Sequence, residues 1–103
     1  MTYEATRTLL RLQIPLVEIV ARRGLTLNTI LDHCEKLKTD PDSEIDFSYL
    51  RPPEPRFSKI RSAFLNAHSY KLSPVKSLLG DDFSYEEIRL ARLFLTDTDL
   101  END

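Results

Sequence analysis

Leu27, Ile30, Leu31, Cys34 and Leu37 recur at i, i+3, i+4, i+7 and i+10. This spacing lines them along one side of a 3.6-residue helix and would scatter them over both faces of a strand. The same period governs most of the chain, and prolines and glycines fall in the gaps between the periodic stretches. A chain so patterned folds as packed helices.

Read in order, a first helix is expected from about Tyr3 to Leu12, with Leu9, Leu10 and Leu12 on its apolar side. Pro15 stands where a second helix begins, a place that tolerates a missing N–H. That helix carries Leu16, Val17, Ile19 and Val20 and ends at Arg22-Arg23-Gly24. There, cations meet the negative end of the dipole and a glycine can take positive φ. Thr26 is an N-cap for the third helix, which stops before the turn-forming run Thr39-Asp40-Pro41-Asp42-Ser43. Ile45-Asp46-Phe47 reads as an extended segment pinning Ile45 and Phe47 into the core.

Arg51-Pro52-Pro53-Glu54-Pro55 is a stiff connector. A fourth helix follows, with Phe57, Ile60, Phe64 and Ala67 on one face and Lys59, Ser62 and Asn66 on the other. Ser73 as N-cap and Pro74 as first helical residue open a short fifth helix to about Leu79, stopped by Gly80. Ser84-Tyr85-Glu86-Glu87 has the form of a capping box before a sixth helix reaching about Leu95. The expected fold is all-α, a compact bundle of five to six helices containing a helix-turn-helix. The 103 residues supply core for one domain, not two. That domain is expected over residues 1–96, with the helix-turn-helix at about 15–38, the connector at 51–55 and the last helices at 56–95. Residues 97–103 hold four acids and no base, and read as a disordered acidic tail.

Several classes fall away on composition. With one cysteine there is no internal disulfide and no cysteine-rich zinc site. With two glycines there is no phosphate-cradling loop, so the chain has no Walker-type route to ATP hydrolysis. His33 and Cys34 are neighbours and point about 100° apart on a helix, so they share neither a metal nor a proton. Cys34, on the apolar stripe, reads as packing. Asp81-Asp82 reads as a polar loop before a capped helix. No catalytic residue, metal ligand or cofactor is assigned. No run is apolar enough to cross a membrane, and no secretion signal is evident, which points to an intracellular protein, in the cytoplasm of a prokaryote or the nucleus of a eukaryote.

The charge is uneven. Residues 1–38 hold six basic and four acidic side chains, and residues 39–103 hold eight and thirteen. From Pro55 to Gly80, however, Arg56, Lys59, Arg61, Lys71 and Lys76 occur without a single acid. That stretch is either an anion-facing surface or a plain solvated face. Tyr70, beside Lys71, is its candidate for stacking on a base, whereas Phe57 and Phe64 have core spacing.

Leu16 to Leu37 carries the most meaning. Two amphipathic helices meet at Arg23-Gly24-Leu25-Thr26, and Ile19, Val20, Leu25 and Ile30 are placed to wedge them apart at a steep angle. This is the pattern of a helix-turn-helix, and also of a plain helical corner. The outer face of the third helix presents Asn28, Thr29, Asp32, Glu35 and Lys36. Two acids there repel phosphates and weaken major-groove reading. Contact of the helix N-terminus with the DNA backbone through the Thr26 hydroxyl and nearby N–H groups remains feasible.

The run Ile19-Val20-Ala21-Arg22-Arg23-Gly24-Leu25-Thr26, followed by Thr29-Ile30 and His33, resembles the helix-turn-helix domain at the C-terminus of RecQ-type and related helicases. The Ile45-Asp46 segment, the helix around Ile60 and Ser84-Tyr85-Glu86-Glu87-Ile88-Arg89 extend the resemblance over about residues 5–95. Val20 departs from the usual small residue and Cys34 from the usual leucine. The resemblance implies a non-catalytic accessory domain of a larger ATP-dependent DNA helicase, acting in repair or recombination. Its partners would be DNA, held weakly and by structure, and the helicase core of the parent chain. The residues expected to meet DNA are Arg22, Arg23, Thr26, Asn28, Thr29 and Lys36, with Arg56, Lys59, Lys71 and Lys76 as a basic surface. A rival reading is a docking or homodimerisation module using the sixth helix, whose apolar residues cover more than one face.

Overall fold

The computed structural model describes residues 2–96 and residue 99. They are all-helical: six α-helices, one 3-10 turn and no strand. The helices are α1 (Thr2–Arg11), α2 (Leu16–Arg23), α3 (Leu27–Lys38), α4 (Arg56–Ala67), α5 (Leu72–Leu79) and α6 (Tyr85–Arg92), with the 3-10 turn at Phe47–Leu50. The chain divides into two compact units, Met1–Leu50 and Arg51–Asp103, and the second begins at the proline-rich connector.

In the first unit α1, α2 and α3 pack pairwise. Leu10, Ile19, Ile30, Leu31, Cys34 and Leu37 are buried, as the helical period predicts, together with Phe47 and Leu50. Leu12, Val17 and Leu27, expected on apolar faces, are instead exposed. Each lies in or just past a terminal turn. Phe47 is buried as expected, but Ile45 is only half-buried. The segment is not simply extended: Asp46 Oδ1 accepts from the Ser48 N–H at 2.9 Å and opens the 3-10 turn.

Arg7 ties α1 to the loop after α3. Its guanidinium donates to the Ser43 carbonyl at 3.1 Å and to the Asp42 carbonyl at 3.0 Å. Arg11 pairs with Glu44 in the same loop at 3.3 Å. The Tyr49 hydroxyl donates to the Ile14 carbonyl at 2.7 Å, and burial pushes its pKa up to about 12.

In the second unit α4, α5 and α6 pack pairwise over a core of Phe57, Ile60, Ala63, Phe64, Val75, Phe83, Ile88 and Ala91. Two boundaries differ from expectation. α5 starts at Leu72 with Lys71 as its cap, so Ser73 and Pro74 sit inside its first turn. First-turn N–H groups have no partner within the helix, so a proline there removes no bond. α6 stops at Arg92 rather than near Leu95. Leu93, Phe94 and Leu95 each donate to a carbonyl three residues back, the tight last turn that satisfies helix-end carbonyls.

Candidate functional site

The α2–α3 corner is built as its residues demand. Gly24 ends α2 at φ 65°, ψ 30°, and its N–H and that of Leu25 both donate to the Val20 carbonyl. This left-handed position favours glycine because an L side chain there crowds the backbone. Thr26 then caps α3: its hydroxyl accepts from the Thr29 N–H at 3.1 Å and lies 2.9 Å from the Thr29 hydroxyl. The side-chain bond satisfies one of the amides left open at the start of a helix.

Around this corner the expected contact residues divide. Asn28 and Lys36 are exposed on α3, with Thr29 half-buried between Thr26 and the helix. Arg22 is exposed but ion-paired with Glu18 one turn earlier. Arg23 is half-buried, and its charge bears on His33. His33 is buried, with Nδ1 2.8 Å from the Thr6 hydroxyl and its ring edge-on to Tyr3 at 4.9 Å. Burial, then the Arg23 cation, lower its pKa against the opposing pull of Asp32. A shallow groove between α1 and α3 is lined by Tyr3, Thr29, Asp32, His33, Glu35 and Lys36. Its two carboxylates sit on the face expected to meet DNA, as the sequence indicates.

In the second unit the basic stretch also divides. The Arg56 guanidinium grips Glu87 at 2.5 and 2.7 Å, donates to the Asp82 carbonyl at 2.6 Å and lies over the Phe83 ring at 4.1 Å. It joins the start of α4 to α6 and the loop before it. The Glu87 bonds raise its already high pKa further. Lys76 donates to the Gly80 carbonyl at 2.9 Å and closes α5. Arg61 donates to Asp99 at 3.0 Å, and the Thr96 N–H and then Arg61 hold that carboxyl below its usual pKa. The remaining tail residues, 97–98 and 100–103, lie outside the described residues, and so does the expectation that they are disordered.

Lys59 and Lys71 are exposed and, with Lys36, carry no ion pair or hydrogen bond on their ammonium groups among the described residues. Tyr70 is also exposed, as a stacking residue needs to be. On α4, Lys59, Ser62 and Asn66 line a groove whose opposite wall is Leu78 and Leu79 of α5. Leu78 was not singled out by the sequence; its exposure follows from packing alone. No three His, Cys, Asp or Glu side chains gather as metal ligands among the described residues. No helix there is long and apolar enough to cross a membrane.

A search of known proteins finds an ATP-dependent DNA helicase Pif1 from Psychrobacter sp. (strain PRwf-1), 31% identical over 104 residues. The match takes in 90% of this chain but only 15% of that helicase. No solved structure matches. A family model described as a helix-turn-helix domain matches residues 2–92, spanning all six helices, and the chain belongs to that helix-turn-helix domain family.

Proposed function

We propose that this chain is a non-catalytic accessory module of a larger DNA helicase. It contacts the DNA backbone and positions the strand for a motor located elsewhere in the parent protein. The observation that carries the reading is the helix-turn-helix match over residues 2–92, whose α2–α3 corner is closed by Gly24 and capped by Thr26. The similarity to a DNA helicase supports the same parent class. The narrower RecQ-like assignment rests on the run from Ile19 to His33. A DNA helicase is what the two resemblances have in common.

Two acids on the outer face of α3 favour backbone contact over base reading. The contacts we assign are the Thr26 hydroxyl with Asn28, Thr29 and Lys36 at the corner, and Lys59 and Lys71 in the second unit. Arg22, Arg23, Arg56 and Lys76 belong to a second rank, because each is engaged by the fold.

The test is fluorescence anisotropy of the chain against single-stranded, duplex and forked DNA at two salt concentrations. The expected result is salt-dependent binding with a preference among the three. Lys59→Glu with Lys71→Glu should reduce the salt slope by about two phosphate contacts' worth. No binding at low salt, where screening is weakest, removes the reading.

A further inference from the structure

The groove between α4 and α5 joins two unlike walls. On α4, Lys59, Ser62 and Asn66 stand at i, i+3 and i+7, on one stripe of the helix. All three are exposed, and their side chains make no hydrogen bond or ion pair among the described residues. On α5, the facing wall is aliphatic: Leu79 is half-buried and Leu78 is 58% exposed. No acid lines the groove among the described residues. A row of idle donors and one cation beside an uncovered leucine wall calls for a ligand with acceptors on one flank and aliphatic carbon on the other.

We propose that this groove docks an acidic amphipathic helix from a partner protein. Its leucine-type face would lie on Leu78 and Leu79, and its carboxylates would meet Lys59, Ser62 and Asn66. The dimensions agree: seven residues of α4 span about 10 Å, two turns of a partner helix, so acids at i, i+3 or i+4 and i+7 stay in register with the stripe. The charge agrees at Lys59, since the stretch from Pro55 to Gly80 contains no acid and the Glu54 carboxylate just before it is occupied by the Ser58 N–H and hydroxyl at 3.1 and 2.6 Å. Single-stranded nucleic acid fits less well. Bases stack on exposed aromatic faces, but the one aromatic residue lining the groove, Phe83, is 7% exposed, and Tyr70 does not line it. The docking proposal stands apart from the DNA reading, with Lys59 the one residue both would use.

The experiment titrates the chain into a fluorescein-labelled synthetic helix with leucines at i, i+3, i+4 and i+7 and flanking glutamates. The same peptide with lysines for glutamates is the control. The acidic peptide should bind at least about tenfold more tightly than the control, and Leu78→Asp should weaken it by about tenfold or more. Lys59→Glu should abolish the preference for the acidic peptide. Ser62→Glu, which places an acid on the exposed stripe without touching the core, should act in the same direction. The proposal is overturned if neither peptide binds at low salt, or if both bind alike. It is also overturned if a single-stranded oligonucleotide binds with the same dependence on Leu78, which would make the groove a nucleic-acid site. Failure of DNA binding by the wild-type chain leaves the peptide result standing.

Discussion

At the scale of single residues, charge type says less than the company each charge keeps. Arg56 and Lys59 are three positions apart in the same acid-free stretch, yet one is locked and the other idle. The difference was not legible in the sequence, because Glu87 and the Asp82 carbonyl reach Arg56 only once α6 has packed against α4. Arg56→Ala should therefore lower the melting temperature more than Lys59→Ala, as differential scanning fluorimetry would show. His33 makes a sharper prediction. Its folded pKa lies below the ordinary 6.5, so the unfolded chain takes up the proton first. Stability is intact above about pH 6.5 and falls as the pH drops below it, towards the lowered folded value. Thermal melts between about pH 8 and pH 5 should show this fall, and His33→Gln should flatten it.

At the scale of elements, helix ends carry the corner and also mark the limit of what periodicity reveals. The caps at Thr26 and Ser84 were legible, and each side chain accepts the bond from the N–H three residues on. The early stop of α6 was not, because Leu93, Phe94 and Leu95 continue the apolar pattern while their backbone tightens. The end of α1 was legible to within a residue, at Arg11 against the expected Leu12, but not its closure, in which Gln13 donates to the Leu10 carbonyl and Ile14 to the Leu9 carbonyl. That is a Schellman closure with a glutamine at φ 60° where glycine is usual. Gln13→Gly should stabilise the first unit by up to about 1 kcal/mol in urea titrations. The converse holds at the two glycines. A Cβ added to Gly24 or Gly80 meets nothing within 4 Å, so any cost is backbone strain. Gly24 sits at φ 65°, ψ 30°, in the left-handed region, and its change to alanine should cost about 1 kcal/mol. Gly80 sits at φ 80°, ψ −162°, where almost only glycine is found, so Gly80→Ala should cost more, up to about 3 kcal/mol. Equal losses at the two sites would contradict this account.

At the scale of the whole molecule, a chain of net charge −3 can hold a polyanion only through local cations that its own carboxylates have not already claimed. Arg22, Arg56 and Arg61 are claimed by Glu18, Glu87 and Asp99, and Lys76 by a carbonyl. Lys36, Lys59 and Lys71, the three assigned as contacts, are not claimed among the described residues, and neither is Lys38, whose ammonium lies 6.0 Å from the Phe47 ring centroid. Each phosphate neutralised on duplex DNA contributes about 0.9 to the slope of log K against log salt, so three lysines set a slope of about 2.7 in magnitude. Single-stranded DNA, at about 0.7 per contact, should give about 2.1. These values are small beside those of strongly basic DNA-binding domains and match the accessory, backbone-contacting role proposed above. The check is a set of anisotropy titrations at four salt concentrations. Lys36→Gln should lower the duplex slope by about 0.9 and leave peptide docking at the α4–α5 groove unchanged, while Lys59→Gln should weaken both. A slope well above about 3.6, the value with Lys38 as a fourth contact, would mean that DNA draws the engaged arginines out of their ion pairs. In that case Glu18→Gln or Asp99→Asn, by freeing Arg22 or Arg61, should strengthen binding. A slope near the three-lysine value should leave both of those variants without effect.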